Sequence, residues 1–184
     1  MEQRKLNTGL LIVAYALIAI MIGTSIFSLT RVSRGEFVTV IVDIFAGICA
    51  FIYFFKGYTK DAAKYFKIVM ILTAASFLVD YLGLAFAPTM AEVTPRDHYF
   101  EIVSSLVIYG NYMVLAFAKD LGEKESNVMV GVNCVIYVIN LIMMICSSDR
   151  IELVIQCVSW LASALICFAM VRAKYLDKRS RNRT

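Results

Sequence analysis

Long apolar stretches separated by short polar segments run through the whole chain. Each stretch is about 20 residues long, the length that an α-helix needs to cross the hydrocarbon core of a bilayer. Six stretches qualify, near 8–30, 36–56, 67–87, 98–118, 127–147 and 151–171. They are about twice as long as a barrel strand and lack its strict two-residue alternation. The pattern predicts an all-α membrane protein, a bundle of six transmembrane helices that forms a single domain over 1–184.

The composition agrees with a membrane location. Apolar residues make up 60% of the chain and charged residues 17%, whereas soluble domains average about 45–50% and about 25%. The charged residues are collected in the short segments between the apolar stretches. The lipid bilayer is therefore the first predicted partner, and the predicted location is the cell membrane, with a multi-pass topology.

The lysines and arginines predict the orientation in the membrane. If the N-terminus is cytoplasmic, four of the 18 basic residues lie in the outer loops, namely Arg31, Arg34, Arg96 and Arg150. The other fourteen then lie in the cytoplasmic segments. Because cytoplasmic loops of membrane proteins are enriched in Lys and Arg, this asymmetry predicts that both the N- and the C-terminus are cytoplasmic.

Polar residues recur on one face of most apolar stretches. In the fifth stretch, Asn133, Tyr137 and Asn140 are spaced by four and three residues, which is the helical period. Stripes with similar spacing contain Thr39 and Asp43; Thr73, Ser76 and Asp80; Glu101, Ser104, Asn111 and Tyr112; and Glu152, Gln156, Ser159 and Ser163. Since polar groups avoid lipid tails, these stripes should turn inward and line a polar interior.

Two aspartates define the candidate site. Asp43 and Asp80 each lie on the order of 10 Å below the outer end of their helix, counted at ~1.5 Å per residue, so the sequence predicts that they share a layer. The predicted ligand-binding residues are Asp43, Asp80, Glu101, Ser104, Asn140 and Gln156. The predicted interior-lining residues are Asn111, Asn133, Tyr137 and Trp160.

The charge of the two aspartates needs compensation in the membrane. A charged residue near the bilayer centre costs about 2.5–3.5 kcal/mol on insertion scales, and no Lys or Arg lies near them in the apolar stretches. A shared proton, amide groups, water or a bound hard cation could compensate, and carboxylate oxygens suit Na⁺, Ca²⁺ or Mg²⁺. The competing interpretation is that the polar residues are interhelical packing contacts, and that Trp160 simply packs between helices.

Two function classes remain open. One is a small transporter or channel whose polar interior binds a cation, a proton or a small polar solute. The alternative is a sensor or interaction module that signals through a cytoplasmic protein partner. No catalytic motif is visible in the sequence, no cofactor is specified, and nothing in it supports nucleic-acid binding. Small residues spaced as in Ala46-x-x-x-Ala50 also permit close contacts within or between subunits, so a homo-oligomer stays open.

The orientation can be tested with reporter fusions. A reporter that is active only in the cytoplasm should be active after Thr184 and silent within 88–97, because the basic residues predict opposite sides for these two positions. Activity measured in whole cells, normalised to the amount of fusion protein, gives the result. Activity of the fusion within 88–97 would reverse the orientation.

Overall fold

Six helices make up the regular structure of the computed structural model, which describes residues 8–29, 37–56, 60–86, 95–118, 120–147 and 151–181. The helices are α1 (Thr8–Leu29), α2 (Phe37–Lys56), α3 (Lys60–Phe86), α4 (Pro95–Phe117), α5 (Glu123–Ser147) and α6 (Ile151–Arg181). No strand occurs in these ranges. The prediction of an all-α fold is therefore confirmed for the described part of the chain.

Within the described ranges, four helices contain segments that are long and apolar enough to cross a membrane. These segments are Thr8–Leu29, Val38–Lys56, Glu123–Met143 and Cys157–Leu176. They indicate a membrane protein. α3 and α4 lie where the sequence predicts the third and fourth spans, and the described part of α4 includes the apolar segment Ile102–Phe117. That α3 and α4 also cross the membrane, which would make six spans, stays a prediction.

Several helices are longer than their apolar stretches. α3 begins at Lys60, seven residues before the predicted start, because the polar segment before the stretch is itself helical. α6 ends at Arg181, ten residues beyond the predicted end. The apolar pattern marks the part of a helix that suits lipid, whereas the backbone hydrogen bonds that define a helix continue equally well in water.

The helices form a ring in chain order. Each helix packs against the next one in the sequence, and α6 returns to pack against α1 and closes the ring. α6 also contacts α2 and α3, so it lies partly inside the ring. Accordingly, 61% of its apolar segment is buried, against 22% for α1. Among the described residues, the contact between α4 and α5 is the smallest of the ring, and we call it the weak joint.

The ring exposes large apolar side chains, and it buries polar side chains among a mainly apolar interior. Large apolar side chains such as Ile12, Phe45, Phe55, Val103 and Ile142 are exposed. Hydroxyl, amide and carboxylate side chains are buried, among them Thr39, Asp43, Thr73, Ser76, Ser104, Asn133, Ser159 and Ser163. An apolar outer surface around polar side chains is the arrangement that lipid imposes.

One end of the ring is lined with cations and aromatic rings, and we call it the basic end. Lys67 Nζ lies 4.2 Å from the ring centroid of Phe117, and Lys174 Nζ lies 4.7 Å from that of Phe66. Lys56 Nζ lies 5.2 Å from the Tyr65 ring. Ammonium groups at these distances are attracted by the ring faces. The three contacts therefore join the first turns of α3 to the C-terminal parts of α2, α4 and α6.

A close approach between α1 and α2 depends on Gly47. A Cβ atom added there would lie 2.8 Å from Ile22 Cγ1, whereas one added at Gly23 of α1 would meet nothing within 4 Å. Gly47 is buried and Gly23 is exposed. The absence of a side chain at Gly47 therefore lets the two helices pack closely, as small residues do in membrane helix pairs.

These two glycines make a matched test of the packing. Gly47→Leu should lower the free energy of unfolding by about 1–3 kcal/mol, because overpacking forces the helices apart. Gly23→Leu adds the same side chain to the exposed face and should leave stability nearly unchanged. Thermal unfolding in detergent micelles measures both. Equal losses in the two variants would contradict the α1–α2 contact.

Candidate functional site

The buried carboxylate of Asp43 lies between α2 and α3. Its side chain is 8% exposed, and its Oδ1 accepts a hydrogen bond from Ser76 Oγ at 3.1 Å. α2 and α3 present these groups to each other because Asp43 and Ser76 occupy the inward faces of adjacent antiparallel helices. A hydrogen bond to a charged group contributes about 1.5–3 kcal/mol, so Ser76 offsets part of the cost of burying Asp43.

The second aspartate follows one helical turn later. Asp80 belongs to α3, and the helical rise places its position about 6 Å beyond Ser76 along the axis. Its side chain lies outside the described residues, and so do the side chains of Glu101 and Gln156. A site shared by Asp43 and Asp80 therefore stays a prediction.

The other predicted residues differ in burial. Ser104 and Ser105 of α4 are buried, at 5% and 8% exposure. Asn140 of α5 is only half-buried. Trp160 of α6 is also half-buried, and its ring centroid lies 5.9 Å from that of Phe77. Ser104 thus faces the interior, whereas Asn140 and Trp160 lie at its margin.

An amide pair bridges the weak joint between α4 and α5. Asn111 Nδ2 donates to Asn133 Oδ1 at 2.7 Å and to the Met129 backbone oxygen at 3.4 Å. Asn133 is fully buried, at 0% exposure. Because these helices touch little elsewhere, the pair is the main polar link across the joint.

Four buried polar atoms next to this pair have no hydrogen-bond partner among the described residues. They are Thr73 Oγ1, Tyr112 Oη, Asn133 Nδ2 and Tyr137 Oη. All four side chains are at most 1% exposed. Buried polar atoms are almost always paired, and each exception calls for an explanation such as a bound water, ion or ligand.

These unpaired atoms form one cluster. The Tyr112 hydroxyl lies within hydrogen-bonding reach of the side chains of Asn133 and Tyr137. The Cys167 thiol is similarly close to Tyr112 and Thr73, although none of these contacts has full hydrogen-bond geometry. Tyr137 is within electrostatic range of Asp43, and its ring centroid is 5.5 Å from that of Phe77. We call the set of Asp43, Thr73, Ser76, Tyr112, Asn133 and Tyr137 the polar core. It brings together α2, α3, α4 and α5, with Cys167 of α6 beside it.

The polar core contains hydrogen-bond donors and acceptors. Its hydroxyls donate and accept hydrogen bonds, its free amide nitrogen donates, and its carboxylate accepts. Within the described residues, no three His, Cys, Asp or Glu side chains come together in a way that could hold a metal ion. The arrangement therefore suits a small hydrogen-bonding species.

Part of the polar core was missed in the sequence-based site. Thr73, Ser76 and Tyr112 belong to the polar stripes but were not among the predicted ligands. Cys167 was read as a small apolar residue. The signal for the first three was the helical spacing itself, because each shares an inward face with a predicted residue. Nothing in the sequence distinguishes Cys167 from the other cysteines.

Removing the unpaired hydroxyls tests the cluster. Tyr112→Phe and Tyr137→Phe should keep or raise the free energy of unfolding of the unliganded protein, by up to about 1–3 kcal/mol, because each removes an unsatisfied buried polar group. Asn111→Leu should lower it by about 1–3 kcal/mol, because Asn133 Oδ1 then loses its donor. Thermal unfolding in micelles compares them. Losses in the two Phe variants as large as in Asn111→Leu would mean that the hydroxyls are already bonded.

Comparisons with known proteins identify no relative of this chain. No family model matches the chain, and no curated protein and no solved structure is found to be similar to it.

Proposed function

We propose that this membrane protein binds a small polar solute, a cation or a proton in the polar core and moves it across the bilayer, as a small transporter or channel. The observation that carries the proposal is the cluster of four buried polar atoms that make no hydrogen bond of full geometry, beside a buried carboxylate. The proposal includes six membrane spans, with both termini in the cytoplasm.

The energetics of the cluster support a ligand. A buried polar atom without a partner costs about 1–3 kcal/mol, and the cost rises in a low-dielectric interior. Four such atoms in one place are hard to explain by packing alone, because apolar side chains of the same shape would pack there without that cost. A ligand that satisfies several of them recovers the loss when it binds.

The position of the cluster supports transport rather than surface binding. The members of the polar core on α3 and α5 lie in the middle parts of these helices, at least ten residues from either end, whereas Tyr112 lies five residues before the end of α4. Polar and ionisable groups at such depth in membrane proteins mark pathways for ions, protons and solutes. The weak α4–α5 joint borders the core on the side of Asn133, so a small separation of these helices would expose it.

A second candidate function rests on α6. This helix has 31 residues and is therefore about 46 Å long at ~1.5 Å per residue, whereas the hydrocarbon core is about 30 Å thick. At the basic end, the Tyr175 hydroxyl donates to the Leu121 backbone oxygen at 2.6 Å and lies 2.9 Å from Ser126 Oγ. A helix that continues from the interior into water and contacts the α4–α5 connection could pass a signal to a protein partner.

Flux measurements in proteoliposomes test the transport proposal. Purified protein should raise the permeability to at least one of H⁺, Na⁺, glycerol or acetamide above that of protein-free vesicles, measured with an internal pH dye, a Na⁺ dye or osmotic shrinkage. Asp43→Asn should reduce this flux about tenfold, which corresponds to ~1.4 kcal/mol, because the variant keeps the shape of the side chain but loses its charge.

Ser25→Ala provides the control for these measurements. Ser25 Oγ lies 3.5 Å from Ser159 Oγ, so the variant removes a buried hydroxyl between α1 and α6 but leaves the polar core intact. Its flux should stay within about twofold of the parent. Permeability equal to that of empty vesicles for all four probes would reject transport and favour the sensor function.

A further inference from the structure

The end of α2 and the first turns of α3 carry a concentration of positive charge. From 56 to 67 the sequence contains four lysines and one aspartate. Lys56, Lys64 and Lys67 are exposed, and we call these three residues the lysine face. The side chains that the structure describes in this segment include no acid. Since Lys64 and Lys67 are three residues apart on one helix, their like charges are neighbours and repel each other.

The other side of the basic end has mixed charge. Asp120, Glu123 and Glu125 lie in the connection between α4 and α5 or in the first turn of α5. Arg172 of α6 forms an ion pair there, with its Nη1 3.4 Å from Glu123 Oε1. The described carboxylates of the basic end are thus collected around α5, whereas its α2–α3 side is positive. An acidic partner is therefore attracted to the lysine face rather than to the whole basic end.

Aromatic rings hold the lysine face in place without neutralising it. Lys56 Nζ lies over the Tyr65 ring and Lys67 Nζ lies over the Phe117 ring. A ring face attracts an ammonium group, but the group keeps its full charge and has three N–H donors to offer. Because these side chains are already positioned, an anion that binds them immobilises less than it would with free lysines.

Exposed apolar rings adjoin the same lysines. Phe55 directly precedes Lys56, and Phe117 is the ring beneath Lys67 Nζ; both phenylalanines are exposed. A dissolved anion would contact the ammonium groups alone. An anionic phospholipid matches both features, since its phosphate suits the lysines and its acyl chains suit the rings. If the basic end is cytoplasmic, as the sequence predicts, it also meets the leaflet that is rich in anionic lipids.

We propose that the lysine face binds the phosphates of anionic phospholipids, whose acyl chains lie along Phe55 and Phe117. Bound headgroups offset the repulsion between the lysines and stabilise the region where α3 meets α2 and α4. This inference goes beyond the proposed function and does not depend on it, because the lysine face lies at the end of the ring and the polar core lies inside it.

Thermal unfolding of the purified chain tests the proposal. It is measured in detergent micelles mixed with phosphatidylglycerol or with phosphatidylcholine of the same acyl chains. Phosphatidylglycerol should raise the unfolding temperature by mass action, and more than phosphatidylcholine does, because only its headgroup carries a net negative charge. Raising NaCl from about 0.05 M to about 0.5 M should reduce the difference through screening. Inorganic phosphate at the same concentration as the lipid should not reproduce it.

Lys64→Gln and Lys124→Gln make a matched pair, because each removes one exposed lysine at the basic end. Lys64 belongs to the lysine face, whereas Lys124 lies between Glu123 and Glu125 on α5. The ratio of phosphatidylglycerol to detergent that gives half of the stabilisation should rise about fivefold in Lys64→Gln. It should stay within about twofold of the parent in Lys124→Gln. If Lys64→Gln does not fold, Lys67→Gln replaces it and should shift the ratio in the same direction.

Three results would overturn the inference. Equal stabilisation by phosphatidylglycerol and phosphatidylcholine would show that the charge of the headgroup has no part in binding. Inorganic phosphate as effective as phosphatidylglycerol would show a site for a dissolved anion instead of a lipid. Equal shifts in Lys64→Gln and Lys124→Gln would show attraction by the net charge of the protein and reject the lysine face as the binding surface.

Discussion

Lipid offers no hydrogen-bond partners, and this constraint determines how the rest of the molecule is arranged. Backbone groups must be satisfied within the helices, and polar side chains must find partners inside the ring or remain unpaired. The buried hydroxyl, amide and carboxylate groups and the exposed apolar side chains follow directly from it. Because hydrophobic burial contributes little between helices in lipid, close packing at residues such as Gly47 and a few polar contacts have to hold the ring together.

The buried polar groups fall into two kinds with different consequences. Ser76 with Asp43, Asn111 with Asn133, and Tyr53 with the Met170 backbone oxygen at 3.2 Å each join two helices. Such contacts position the helices, and between neutral groups they contribute on the order of 0.6 kcal/mol each on average, whereas a bond to a charged group such as Asp43 contributes more. The hydroxyls of Tyr112 and Tyr137 instead lie within reach of each other, but neither makes a hydrogen bond of full geometry with a described residue. The first kind explains the architecture, and the second kind is the observation on which the proposed function rests.

The sequence predicts the position of each helix and its polar face, because these depend on residues within one helix. It does not predict which side chains of different helices come into contact. The apolar stretches predicted all six helices, and the three-to-four spacing of Asn133, Tyr137 and Asn140 predicted their common face. Depth counting, however, has an uncertainty of about one turn. It matched Asp43 with Asp80, which stays a prediction, and it did not predict the hydrogen bond that Asp43 accepts from Ser76, one turn before Asp80. The sequence also could not place Cys167 beside the polar core, because its neighbours there come from α3 and α4.

The short connection between α4 and α5 limits how their weak joint can open. Only residues 118–122 separate the two helices, and Tyr175 and Ser126 hold this segment against α6. At the basic end of the ring, the end of α4 and the start of α5 are thus held close together. Any separation of the two helices has to pivot there and grow with distance from it, so a given rotation displaces the far ends of α4 and α5 most. Because of this short connection, a gap that opens between α4 and α5 is narrowest at the basic end and widest at the opposite end.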